Sequence, residues 1–199
     1  MRYILALIFI LILSGCTTTT PAVTEYRVIT DMTKPKMANS GGCRDKSLKI
    51  AQAFSSPALM SHHMPYIQGD SKQYIYTESR WSEAPNIALT REFLKHIKKT
   101  KLFKNVLNSK SRSKSDLVLE INIVDFMQYF NADETTSYVN VEVYLTLVDI
   151  KSGVSIATDS FNSKIDVKTL NAEGGVEGLS IALKKVMDDS EKWLDGVCK

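Results

Sequence analysis

The chain has 199 residues, 44% of them hydrophobic, with 25 basic against 22 acidic side chains and a formal net charge of +3. That length supports one domain with a substantial core, and neither an internal repeat nor a second domain boundary is visible. So small a charge excess points to no particular polyanionic partner, and nothing in the composition argues for a nucleic-acid binder.

The first residues, Met1-Arg2-Tyr3, lead into an unbroken apolar run from Ile4 to Leu13 and then Ser14-Gly15-Cys16. One cation, a short apolar core and small residues at a cut site describe a secretory signal peptide over residues 1–15. The core is too short to span a bilayer, which takes roughly 20 apolar residues. Leu13-Ser14-Gly15-Cys16 resembles the lipobox of bacterial lipoproteins, in which Cys16 is acylated before cleavage. Two or three acyl chains make such a tether effectively permanent. Thr17 stands where an aspartate would resemble an inner-membrane retention signal, which favours an outer-membrane anchor on the periplasmic side. Residues 16–24 are Thr-rich and read as a linker, leaving 25–199 as a single folded domain. Within it, residues 26–30 are rich in β-formers and suit a short edge strand, while residues 33–42 are rich in Lys, Pro, Ser and Gly and suit a loop.

Residues 47–54 read as a strand, 55–71 as a loop with Pro57, Pro65 and Gly69, and 73–79 as a strand paired back on the first. Ser82 is a plausible helix N-cap and Pro85 suits a first turn. The helix then runs to about Lys99 on a face of Leu89, Phe93, Leu94 and Ile97. A short strand at 103–107 and a polar turn at 109–115 follow. Leu117, Leu119, Ile121 and Ile123 alternate strictly, and the phase slips toward Phe126, which predicts a bulge near Asp125. Val139 to Leu147 alternate again, residues 151–153 turn, and 154–165 return as a further strand. Val176, Leu179, Leu183, Val186 and Trp193 mark one face of a final helix. This order predicts an α+β fold, a mixed and mostly antiparallel sheet with two helices packed on one face.

Cys43 and Cys198 remain once Cys16 takes lipid. They bracket the domain in an oxidising compartment and are expected to pair; the alternative is two unpaired thiols. No nucleophile motif, phosphate loop or paired-cysteine ligand motif is present, so neither an enzyme nor a cofactor or metal site is expected. His62-His63 is the only histidine pair, and His96 reads as a surface residue among lysines. Asp125, Asp133 and Glu134 suit a solvated hairpin tip better than an acid–base pair. Gly174-Gly175 before the last helix suits either an anion cradle or a flexible entry. The basic run from Lys95, Lys98, Lys99, Lys101 and Lys104 to Lys110, Arg112 and Lys114 reads as a solvated face rather than a site for headgroups or nucleic acid. In residues 59–67, Met60, Met64, Tyr66 and Ile67 form either an adaptable binding surface or cover for a sheet edge.

The run from Gln73 to Val106 carries a resemblance. A strand with Tyr74 and Tyr76, then Arg80-Trp81-Ser82-Glu83-Ala84-Pro85, a helix and Leu102-Phe103-Lys104-Asn105-Val106, resembles the ABC-type transport auxiliary lipoproteins. In that family the turn reads Arg-Trp-Ala-Glu-Pro, so Ala84 is an insertion before the proline. The order of later elements extends the likeness over about residues 47–195. The resemblance implies a non-enzymatic accessory subunit of a lipid transport system, partnered by an ABC permease and an MCE-domain protein, with a fold similar to the amino-terminal domain of the TolB translocation protein. It supplies no catalytic residues. Trp81 is the first candidate for a partner contact, beside Met60, Met64 and Tyr66, and tryptophans at such turns equally often seal a core. Self-association is left open. The rival readings are a structural lipoprotein of an outer-membrane or secretion assembly and a periplasmic lipid carrier.

Overall fold

The computed structural model describes residues 21–30 and 43–198. The expected signal peptide, the expected lipidation site Cys16 and most of the expected linker lie outside the described residues.

The framework is one long strand. Strand β7 (Leu117–Phe130) pairs antiparallel along its whole length with β8 (Ser137–Asp149), which pairs in turn with β9 (Ser155–Asp166). The other edge of β7 receives three short parallel strands in succession: β2 (Ser47–Ile50), β3 (Phe54–Ser55) and β4 (His63–Gln68). Beyond these lie β6 (Asn105–Leu107) on β2, β5 (Lys72–Trp81) on β4, and β1 (Thr24–Tyr26) on β5. The sheet is therefore mixed, with its long ladders antiparallel. The expected strand 47–54 is two strands, and the expected loop 55–71 holds β4. Its partner is also different from the expected one, because β5 folds back on β4 rather than on β2. The early edge strand falls at Thr24–Tyr26, slightly before the predicted position.

The bulge falls where the alternation slipped, between Ile123 and Asp125, and leaves Val124 exposed. After it, Phe126, Gln128 and Phe130 rejoin the face of Leu119, Ile121 and Ile123, so one side of β7 stays buried along its length.

Helix α1 (Pro85–Thr100) starts with Pro85 in its first turn, but Ala84 rather than Ser82 is the N-cap, and no side chain caps it. Proline has no amide hydrogen to orphan there, which lowers the need for a cap. Lys98 and Lys99 meet the negative end of the helix dipole, and Lys101 ends the helix in the left-handed region at φ 58°. Helix α2 (Ala172–Val197) is capped by Asn171, whose side-chain oxygen accepts from the Gly174 amide at 2.9 Å. Both helices pack on the same face of the sheet, as expected. Leu89, Phe93 and Ile97 of α1 and Leu179, Leu183, Val186 and Met187 of α2 close a core with Val139, Val141, Val143 and Leu145. Burying each large apolar side chain there stabilises by roughly 1.5–3 kcal/mol. Cys43 and Cys198 form a disulfide, joining the approach to β2 to the end of α2.

Candidate docking face

Strand alternation puts two chemically different surfaces on the sheet. One carries the helices. The other, lined by Glu120, Asn122, Glu142, Tyr144 and Thr146 in its middle strands, has no helix over it.

A polar row crosses this uncovered face at the level of the bulge. Oδ2 of Asp125 accepts the Tyr129 hydroxyl and the Asn140 amide, each at 2.7 Å, and Asn140 Oδ1 accepts the Asn162 amide at 2.8 Å. Three strands are thus tied by three side chains that the sequence spaces far apart. The Tyr129 and Tyr138 rings stack at 5.0 Å, and Lys164 Nζ sits 3.4 Å over the Tyr138 ring. Asp125 itself is buried, and its Oδ1 has no hydrogen-bond partner. Burial raises its pKa; the bonds from Tyr129, Asn140 and the Phe126 amide oppose this, and the Glu142 charge adds to it. Burial also raises the Tyr129 pKa, helped by its bond to Asp125. Asp133 and Glu134 stand instead in the β7–β8 turn, where Glu134 has φ 56° and Asp133 accepts from Thr135. The expected acidic group is therefore not gathered at one place.

The other face carries a second aromatic group beyond the helix-covered area. Tyr66 lies 5.6 Å from Tyr74, 4.6 Å from Tyr76 and 5.5 Å from Phe130. The Tyr76 hydroxyl donates to Gln128 Oε1 and Gln128 Nε2 donates to Ser137, which locks the group to β7 and β8. Burial, then the neighbouring Tyr66 and Glu134, raises the Tyr76 pKa. Gly174 and Gly175 lie in the first turn of α2, not before it. A Cβ on Gly175 would meet Gln128 Oε1 at 2.2 Å, and one on Gly174 would meet the Thr169 carbonyl oxygen at 2.1 Å. Close approach, of Gly175 to strand β7 and of Gly174 to the loop before α2, rather than an anion cradle, accounts for both glycines.

The sequence-selected contacts divide. Met60 is exposed and Tyr66 half-buried, but Met64 and Trp81 are each 3% exposed and belong to the core. The Trp81 ring tilts against Phe126 at 5.7 Å, so here it seals the fold. The two adjacent histidines are exposed, and His62 Nδ1 lies 2.9 Å from the Trp81 carbonyl. Every member of the basic run is exposed, as a solvated face requires. His96, by contrast, is buried and bonded to Glu191, against the expectation of a surface residue.

The fold has solved counterparts. Protein XCC0632 from Xanthomonas campestris, described by the DUF330 family model, matches with a TM-score of 0.72 at 14% identity, over 87% of this chain and 96% of that one. The crystal structure of an uncharacterized protein matches with a TM-score of 0.65 at 12% identity, over 88% and 99%. A looser outline is shared with the PelC dodecamer from Paraburkholderia phytofirmans, with a TM-score of 0.45 at 8% identity, over 75% and 90%. The first two define the class: an α+β domain with two helices on one face of a mixed sheet. No family model matches the chain, and no curated protein matches it in sequence. Among the described residues no helix is long and apolar enough to cross a membrane.

Proposed function

We propose that the chain is a lipid-anchored, non-enzymatic docking subunit of a cell-envelope assembly, held to the periplasmic side of the outer membrane through Cys16. The observation that carries this reading is the uncovered sheet face with its row of Asp125, Asn140, Asn162, Tyr138 and Lys164. Stacked aromatic rings, a fixed cation and amides locked across three strands are the mixed surface that protein partners bury. The partner is a protein subunit that meets this row with its own hydrogen-bonding groups and leaves the helix layer untouched. Carriage of lipid by the domain itself has weaker support. A groove beside the β4–β5 turn has a mixed lining, with Gln68, Asp70, Lys72 and Asn131 beside Tyr129 and Phe130, and it is open to solvent rather than the enclosed apolar cavity that an acyl chain needs.

The finer reading makes the assembly an ABC/MCE-type lipid transport system. Its support is the resemblance over residues 73–106, which form β5, the buried Trp81 turn and α1. That assignment rests on one short motif, whereas a structural role rests on the face itself. The structural role in an envelope assembly is therefore the conclusion, and the identity of the assembly is what an experiment must read.

The experiment is a mild-detergent pull-down of the tagged full-length protein from native membranes, with mass spectrometry of proteins and lipids, run beside Lys164→Glu. Recovery of an ABC permease and an MCE-domain protein, lost in the variant, supports the transport reading. Recovery of barrel or secretion components alone replaces it with an assembly role. Recovery of no protein partner, or of the same partners with both chains, overturns docking through this face.

A further inference from the structure

Helices α1 and α2 meet at a group of side chains that the docking reading does not use. His96 of α1 has a side chain only 8% exposed, and its Nε2 lies 2.8 Å from Oε2 of Glu191 on α2, which is 14% exposed. Asp188 stands three residues earlier on α2, and positions three apart share a helix face. One ligand atom from each of His96, Asp188 and Glu191 lies within 4.8 Å of the others.

We propose that His96, Asp188 and Glu191 form a divalent-metal site, best suited to zinc, that clamps α1 to α2. One imidazole nitrogen and two carboxylate oxygens are donor types that zinc takes, and three protein ligands leave a fourth tetrahedral position for water. Zinc holds such donors at about 2.0–2.2 Å, which sets neighbouring ligand atoms roughly 3.3 Å apart. The His96–Glu191 pair must therefore open slightly and Asp188 must swing in. These are side-chain rotations on fixed helices, with no backbone change. Magnesium and calcium prefer all-oxygen shells with more ligands, so the imidazole selects against them.

Two features of the arrangement around His96 and Asp188 set the cost of binding. The Nε2 lone pair must face the ion, so any proton held between His96 Nε2 and Glu191 leaves to solvent or to Nδ1. Lys184 Nζ, 2.6 Å from Asp188 Oδ2, must also yield. The Lys184 and Asp188 side chains are 29% and 40% exposed, and a partly exposed pair of this kind gives way at small cost. Cys43 and Cys198 are bonded to each other and offer no thiolate to compete for the metal.

The test is calorimetric titration of zinc chloride into the metal-free full-length lipoprotein in detergent, for the natural chain and for His96→Gln, Asp188→Asn and Glu191→Gln. Glutamine at 96 or 191 preserves a hydrogen bond across the helices, and circular dichroism checks that each variant is folded. One zinc per chain, bound at least about tenfold more weakly by each variant, is the expected result. Lys184→Ala, which removes the competing cation and no ligand, should bind zinc more tightly. Cobalt(II) should give visible absorption in the natural chain that Glu191→Gln loses. Absence of saturable zinc uptake by the natural chain overturns the site, as does uptake unchanged in all three ligand variants, which would place the metal on His62 and His63 or elsewhere.

Discussion

The hydroxyl of Thr30 donates to Oε2 of Glu92 at 2.8 Å, which fastens the segment after β1 onto helix α1. The same carboxylate receives Lys95 Nζ at 2.9 Å and the Arg91 side chain at 3.1 Å through Oε1. Arg91 is held in turn by Glu83 and reaches the Val28 carbonyl. The segment after β1 is therefore joined to α1 through a charge network centred on the buried Glu92 carboxylate.

That network predicts acid sensitivity. Burial alone would raise the Glu92 pKa, but the bonds from Lys95, Thr30 and Arg91 outweigh it and the net shift is downward. A folded value below the unfolded one, about 4.3, gives stability that is present above that pH and lost as pH falls through the folded value. Glu92→Gln should cost about 1.5–3 kcal/mol at pH 7, the range for charge-assisted hydrogen bonds. The deficit should shrink in denaturant melts at pH 3. A deficit equal at both pH values would mean that shape rather than charge matters at Glu92.

The disulfide closes a loop of sequence separation 155, nearly the whole described domain. Cys43→Ser with Cys198→Ser should lower stability by about 2–5 kcal/mol in urea melts. Reductant should lower the natural chain to the same level and leave the double variant unmoved. Equal midpoints with and without reductant in the natural chain would show that the bridge does not stabilise the fold.

Much of the sheet was legible because burial on one face imposes alternation, as in Leu117 to Ile123 and Val139 to Leu147, and even the bulge announced itself as a phase slip. Strand β4 was not legible. Its apolar positions Met64 and Pro65 are adjacent and both buried, and its pairing register shifts between His63 and Pro65, so the period of two never develops. Trp81 was visible as special, but only the packing against Phe126 decides between contact and core. The polar row on the uncovered face was hidden for another reason. Asn140 and Asn162 look like ordinary solvated strand residues until the register brings them beside Asp125. His96 and Glu191 are 95 residues apart, and no local signal connects them.

The glycines of α2 separate close approach from helix propensity. Gly174→Ala drives a Cβ onto the Thr169 carbonyl oxygen, a backbone atom that cannot step aside, and should cost about 1–3 kcal/mol. Gly175→Ala meets the Gln128 side chain, which can turn at the expense of its bond to Tyr76, and should cost less. Gly196 has nothing within 4 Å of an added Cβ, so Gly196→Ala should stabilise by about 0.5–1 kcal/mol through helix propensity. Thermal melts of the three variants test the order. A Gly174→Ala chain as stable as the natural one would mean that the start of α2 does not lie against Thr169.

Asp125 should behave oppositely to Glu92. Its pKa is raised, first by burial, so its contribution to stability is present below the unfolded value of about 3.9 and lost as pH rises through the folded value. When ionised, Asp125 is a buried carboxylate with one bonded oxygen and one without a partner. Asp125→Asn keeps a carbonyl to accept from Tyr129 and Asn140 and replaces the orphaned charged atom with a neutral amide, a smaller desolvation cost. The variant should match or exceed the natural chain at pH 7, by about 1 kcal/mol at most, and lose that advantage at pH 3. Tyr129→Phe should move the other way, costing about 1–3 kcal/mol at pH 7, because it removes a donor and leaves the charge less satisfied. Urea midpoints at both pH values decide the matter. A large loss in Asp125→Asn at pH 7 would show that the ionised carboxylate holds β7, β8 and β9 together rather than being tolerated by them.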